Sequence, residues 1–371
     1  MPSLIETSRG LSILSFSRRG IVATLLLFAT SPTNASTLNR VRQTKTLRCG
    51  INRETAEYST SDDHGGREAF DADLCKAVAI AILGPNARTT LTNYPDDVTS
   101  MAALRAGKVD LLPTLTLDFK HSASAALTFS PPLLYDGIGF LVPITANLTH
   151  AGDLSDKKIC FLAETEVEVN LRTWFEKQHL EFLPFPFQEE GEMEAAYVTG
   201  NCAALAGNRT RVASTRVAFG PLAARYALLP EQISKDPLAA ASRTDDPAFA
   251  NIVRWVIEVL LNAEAAGLTQ SAAAALLPPS RKAPLSSSRS AAEGSASPAQ
   301  DPTLQILTGQ THEIGPSLGL DNAWAVHVIA AVGNYGEIYD RDLGDRSPLK
   351  LPRALNRLDT QGGLMVPLPL K

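Results

Sequence analysis

Phe70-Asp71-Ala72-Asp73-Leu74-Cys75-Lys76-Ala77-Val78-Ala79-Ile80-Ala81-Ile82-Leu83 carries apolar side chains at helical spacing, with acids in its first turn. Acids there are favoured by the partial positive charge of a helix N-terminus. Gly84-Pro85 ends the helix, and Thr46 to Ile51 before it reads as a short strand. A further helix is predicted from about Asp97 to Ala106, stopped by Gly107, followed by a strand over Val109 to Leu112. Strands alternating with helices of this length predict α/β units on a mainly parallel sheet.

Working outward, Tyr135 to Val142 reads as a connecting strand, and a second α/β set follows. Lys158 to Leu162 is a predicted strand, Glu166 to Gln178 and Glu192 to Thr199 are helices, and Ala203 to Leu205 is a strand. Asn251 to Ala266 is the most strongly amphipathic helix of the chain. The expected organisation is a first lobe over 46–140, a second over 141–240, and return helices over 241–278 that pack on the first lobe. Residues 279–303 are rich in Ser, Ala and Pro and poor in large apolar side chains, the composition of a flexible linker. Helical periodicity returns over Leu318 to Val332 and Leu349 to Leu358, so 304–371 is expected to fold back on the body as an extension.

With 371 residues, 44% hydrophobic and 20% charged, the chain can bury the core of one large or two medium domains. A formal charge of -5 and the absence of a Lys/Arg cluster interleaved with aromatics exclude a nucleic-acid partner. At the start, Arg9, Arg18 and Arg19 precede an apolar run from Gly20 to Thr30, with Thr33 and Ala35 where a signal peptidase reads. Residues 1–35 are thus a predicted secretory signal peptide, the mature chain starting near Ser36. The run falls short of the roughly 20 residues that span a bilayer; retention as an anchor is the alternative. Export makes disulfides the natural use of the 4 cysteines, Cys49, Cys75, Cys160 and Cys202, which show no CxxC spacing. Of the possible pairings, Cys49 with Cys75 and Cys160 with Cys202 is favoured because each pair then lies within one lobe. The 6 histidines, His64, His121, His150, His179, His312 and His327, show no HxxH or HExxH spacing and read as surface or packing residues, with no metal site.

The helix Phe70 to Ala79 resembles the "GxDVDxCRAVA" helix of the general L-amino-acid periplasmic binding proteins of ABC importers, members of solute-binding protein family three. The likeness recurs in order. Leu104-Arg105-Ala106-Gly107-Lys108-Val109-Asp110 resembles "LQSGEVD", Tyr135 to Phe140 resembles "YYDGQGF", and Ile233 to Leu238 resembles "ISKEPL". Ile252-Val253-Arg254-Trp255 and Asn262-Ala263-Glu264 fit "IVRW" and "NAEE". In the tail, Leu318 to Asn322, Val332 to Glu337 and Ser347 to Lys350 match a terminal region peculiar to this subgroup. The resemblance covers about residues 46 to 371, interrupted by the linker.

It implies a type II-like two-lobed periplasmic-binding-protein fold with a hinge and a C-terminal helical appendage. It also implies a monomer that closes on a free amino acid or related small polar solute and hands it to the membrane permease subunits of an ABC transporter, with no cofactor and no catalysis. The same disulfide pairing is implied.

A free amino acid presents a carboxylate and an ammonium, so a closed cleft must supply a cation and backbone N–H groups for one and an anion for the other. The Arg of the relatives' "LARNTTWT" falls at Thr114 or Pro113 here, leaving Thr116 as the matching hydroxyl. Their "TGTTTELN", at a helix N-terminus suited to an anion, becomes Ala163 to Asn170; Thr165 can still donate, but Glu164 and Glu166 would repel a carboxylate. The ammonium-binding Asp of "DRSQLAAVR" becomes Asn208, and Tyr58 stands where relatives carry a stacking aromatic. The resemblance thus implies a divergent ligand site made of Tyr58, Thr114, Thr116, Thr165 and Asn208. Two alternatives remain open: a paralogue that no longer binds amino acids and acts as a partner-binding or sensory module, and a dehydratase-like enzyme on the same fold, for which the sequence holds no His, Ser or Cys constellation.

Overall fold

A computed structural model describes residues 36–52, 70–124, 126–278, 301–311 and 314–370. The expected signal peptide, Tyr58, His64, His312 and residues 279–300 of the expected linker lie outside the described residues.

The described chain opens with a helix that the sequence reading does not predict: α1, Thr37–Thr44, capped by the Ser36 hydroxyl accepting from the Asn39 amide. Its Arg40 pairs with buried Asp110, and the Leu38 amide donates to Asp246 at 2.7 Å. Next come β1, Thr46–Asn52, then α2, Phe70–Leu83, and β2, Arg88–Tyr94, which pairs in parallel with β1. Helix α3, Asp97–Arg105, starts at Asp96, whose side chain accepts from the Thr99 amide. The strand that follows, β3, is Leu112–Thr116, later than the predicted Val109 to Leu112. The segment just before it meets β1 at the Cys49–Leu111 bridge, where the Gly50 amide donates to the Leu111 carbonyl. Short helix α4, Phe119–Ser124, leads into β4, Leu127–Asp136.

The five-stranded sheet of the second lobe begins with β5, Ile138–Pro143. It continues through β6, Lys158–Leu162; α5, Glu166–Lys177; β7, Leu183–Phe187; α6, Glu190–Val198; β8, Ala204–Asn208; α7, Arg209–Ala218; and β9, Tyr226–Leu228. Its strand order is β7-β6-β8-β5-β9. The chain then returns as β10, Asp236–Arg243, inserted antiparallel between β3 and β4. Strand pairing therefore puts Ile138 already in the second sheet and Asp236 back in the first, so the return to the first lobe begins with a strand rather than with helices at 241.

Helices α8, Pro247–Ala265, and α9, Gln270–Leu276, follow, then α10, Pro302–Leu307; α11, Ile314–Ser317; α12, Trp324–Val332; and α13, Tyr335–Asp342. The C-terminal helices share one buried cluster with the first lobe: Trp324, Val328 and Ile329 of α12 lie with Ala77 and Val78 of α2 and Ile257 and Leu261 of α8. Leu349 to Leu358 does not form the predicted α-helix. Pro352 denies it a backbone donor, and the segment holds a single 3-10 turn at Ala354–Asn356 while burying Leu349, Leu351 and Leu358. Its Asn356 side chain acts as a strand partner for β4, accepting from the Tyr135 amide at 2.6 Å and donating to the Tyr135 carbonyl at 3.0 Å.

The cysteines pair as Cys49–Cys75, joining β1 to α2, and Cys160–Cys202, joining β6 to the turn before β8. Each bridge stays within one lobe.

Candidate ligand-binding site

Two crossovers connect the sheets, one at Gly137 and one between β9 and β10. The first turn of α7 is bonded to both. Asp136, at the end of β4, is buried and accepts from the Gly137 amide at 2.9 Å, the Thr210 amide at 3.4 Å and the Thr210 hydroxyl. Burial pushes its carboxyl above the usual range, against the pull of those hydrogen bonds and of Arg209. Arg209 is also buried, and its Nη1 donates to the carbonyls of Leu229, Pro230 and Glu231 at 3.4, 2.8 and 3.2 Å on the second crossover. Neighbouring atoms pack so closely against Gly137 and Gly139 that a side chain at either would force a shift. A Cβ at Gly137 would lie 2.3 Å from the Ser234 carbonyl oxygen, and one at Gly139 would lie 2.6 Å from Arg209 Cγ.

Above these crossovers a cavity of about 280 Å³ opens between the sheets, at strand ends and helix starts. That is where open α/β sheets place ligands. The first lobe contributes Asp97 from the start of α3, Thr116 from the end of β3, His121 from α4, and Asp236 and Leu238 from β10. From the second lobe come Leu162, Thr165 and Glu166 around the start of α5, Glu190 and Met193 from α6, Asn208 at the end of β8, and Arg211 and Thr215 from α7.

Thr116, Thr165 and Asn208, predicted as ligand residues, therefore come together. Thr114 does not join them. Strand β3 is buried from Leu112 to Leu115 and opens only at Thr116, and the Thr114 hydroxyl donates to Asp71 Oδ1 on α2 at 2.8 Å. Thr165 occupies the N-cap position of α5, yet its hydroxyl donates back to the Leu162 carbonyl at 2.8 Å instead of capping the helix. Of the two acids expected to repel a carboxylate, Glu166 lines the cavity, whereas Glu164 is exposed in a left-handed conformation with φ 60°.

Arg211 was missed by reasoning from the sequence, which looked for the cation on β3. It stands a helical turn beyond Asn208 and so shares its face of α7; that spacing was the available signal. Its guanidinium grips both oxygens of Glu190 on α6 through Nε and Nη2. His121 is likewise more than a surface or packing residue. It lines the cavity with Nδ1 2.7 Å from Asp118 Oδ1 and Nε2 3.8 Å from Asp97 Oδ2.

Asp97 also receives the Thr116 hydroxyl at 3.4 Å, and Asp236 receives the Ser234 hydroxyl at 2.8 Å. Burial is the main cause that raises the Asp236 carboxyl above its ordinary range; the Ser234 hydrogen bond opposes it, and the nearby charges of Asp136 and Glu166 add to it. Beside the cavity Glu194 is raised by burial too, while accepting from Thr215 at 2.9 Å. Among the described residues no group of His, Cys, Asp and Glu could hold a metal ion.

No family model matches the chain. A general L-amino acid-binding periplasmic protein of Rhizobium johnstonii is 34% identical over 355 residues, covering 95% of this chain and 97% of the relative. A glutamate/glutamine/aspartate/asparagine-binding protein of Rhodobacter capsulatus is 33% identical over 353 residues, covering 95% of this chain and 98% of the relative. A solved structure, the periplasmic binding protein of an ABC transporter from Brucella ovis with glutathione bound, superposes with a TM-score of 0.73 at 33% identity, covering 91% of this chain and 100% of that one.

Proposed function

Because the chain belongs to the family of amino-acid-binding periplasmic proteins of ABC transporters, we propose that it captures an amino acid or a related small polar solute in the cavity between its two lobes and delivers it to permease subunits in the membrane. The observation that carries this reading is the cavity itself, large enough for a solute of that size and lined from both lobes by hydroxyl, amide and charged groups. Crossovers bonded to one helix start, as at Asp136 and Arg209, suit lobes that move as rigid bodies about a narrow hinge.

In this reading Thr116 and Asn208 hydrogen-bond the solute from opposite lobes, and Asp97 and Asp236 face its ammonium. The α5 amides that no side chain caps would receive its carboxylate. Catalysis is not proposed, since the relatives are binding proteins. The protein would act as a monomer in the periplasm, exported by residues 1–35. Calorimetry of the purified mature chain against amino acids and small peptides tests the function. Saturable binding of a solute, abolished by disrupting Thr116 and Asn208 together, is expected; heat from none of them would overturn it.

A further inference from the structure

We propose that this cleft selects solutes of net positive charge, such as a basic amino acid, and that the Arg211–Glu190 pair is the device that enforces the choice; the proposal rests on the solute-binding reading above.

Among the described residues, the ionisable groups facing the cavity are Asp97, His121 and Asp236 from the first lobe and Glu166, Glu190 and Arg211 from the second. Carboxylates outnumber cations. The guanidinium is gripped on two prongs by Glu190, a geometry that satisfies both charges, so the pair presents little net charge to a solute. His121 sits against Asp118 and near Asp97, and even with it protonated the described lining residues carry more carboxylates than cations.

A zwitterion needs one anion and one cation from its host. Here the ammonium side is oversupplied, and the fixed cation is already engaged. The carboxylate of a solute would be left to the α5 amides next to Glu166, and an uncompensated carboxylate in a closed cleft is costly. A second positive charge on the solute offsets the surplus of carboxylates among the described lining residues. The same arithmetic makes Glu190 a selector: without its charge, Arg211 becomes available to a solute carboxylate.

The test is calorimetry of the purified mature chain with L-arginine, L-lysine, L-glutamine, L-glutamate and glutathione as probes. Arginine or lysine should bind at least about tenfold more tightly than glutamine, with weaker binding still for glutamate and glutathione. Glu190→Gln should narrow the preference for basic over acidic solutes by about tenfold or more, and Asp236→Asn should weaken the basic solutes by a similar factor. Arg211→Gln guards against a folding artefact in Glu190→Gln, because removing the cation should strengthen the basic probes relative to glutamate. Glutamine, glutamate or glutathione binding as tightly as the basic probes would overturn the charge selection and leave the solute-binding reading standing. Silence from every probe would overturn both.

Discussion

Arg216 of α7 donates from Nη2 to the Leu349 carbonyl at 2.8 Å, tying a helix of the second lobe to the C-terminal segment that completes the core of the first. The same nitrogen lies 3.3 Å from the Pro348 carbonyl. Removing a charged donor from such a bond typically costs about 1–3 kcal/mol. Arg216→Ala should fall at the lower end because the contact is only part-buried. Urea unfolding checks it; no change in midpoint would mean the tie is not formed in solution.

The same tail tests the core more severely. Trp324 is 2% exposed among the α2 and α8 side chains, so Trp324→Ala should cost about 3–5 kcal/mol. A loss below about 1 kcal/mol would show the tail to be a detachable appendage.

Thr114 and Thr116 stand two positions apart on β3 with separate jobs. Thr114→Ala removes a bond to buried Asp71 and should destabilise the chain by about 1–2 kcal/mol while leaving solute affinity unchanged. Thr116→Ala should weaken the solute with little change in stability. The reverse pattern, in unfolding and calorimetry together, would put Thr114 back in the cleft.

Asp136 gives a pH dependence with a definite sign. Its carboxyl is raised in the folded chain, so the folded state holds the proton to higher pH than the unfolded one. The stability it contributes is full below the ordinary carboxylate pKa, about 4, and is lost as pH rises through the raised value. Asp136→Asn, which can keep the contacts from Gly137 and Thr210, should therefore gain on the wild type as pH rises from about 4 through the raised value. Thermal unfolding across that range checks it, and a parallel pair of curves would refute it.

The disulfides make the last prediction. Cys49–Cys75 and Cys160–Cys202 close chain separations of 26 and 42 residues, for which loop-closure entropy suggests about 3–4 kcal/mol each. Replacing either pair by Ser should lower stability by that order without abolishing the fold of the other lobe. Proteolysis of the altered lobe alone would be the expected readout.

By itself the sequence determined most of the elements of the two lobes, and the family. The helix at Phe70 to Leu83 and the strand at Lys158 to Leu162 lie where their patterns put them, because apolar periodicity and helix stops are local properties of the chain. The disulfide pairing followed from which segments share a lobe and from the resemblance. Tertiary structure decided which side chains meet. Thr114 was a candidate until packing turned it toward α2, and Arg211 was unremarkable until α6 brought Glu190 against it. His121 became part of the cleft only because α4 lies beside Asp97. Return strand β10 likewise joined β3 and β4 through partners a hundred or more residues away. Leu349 to Leu358 kept a helical pattern in sequence yet runs mostly without helix, since its apolar side chains are buried by the first lobe rather than by a helix face. Such choices depend on contacts between distant segments, and the free energy of those contacts overrides local propensity wherever the two disagree.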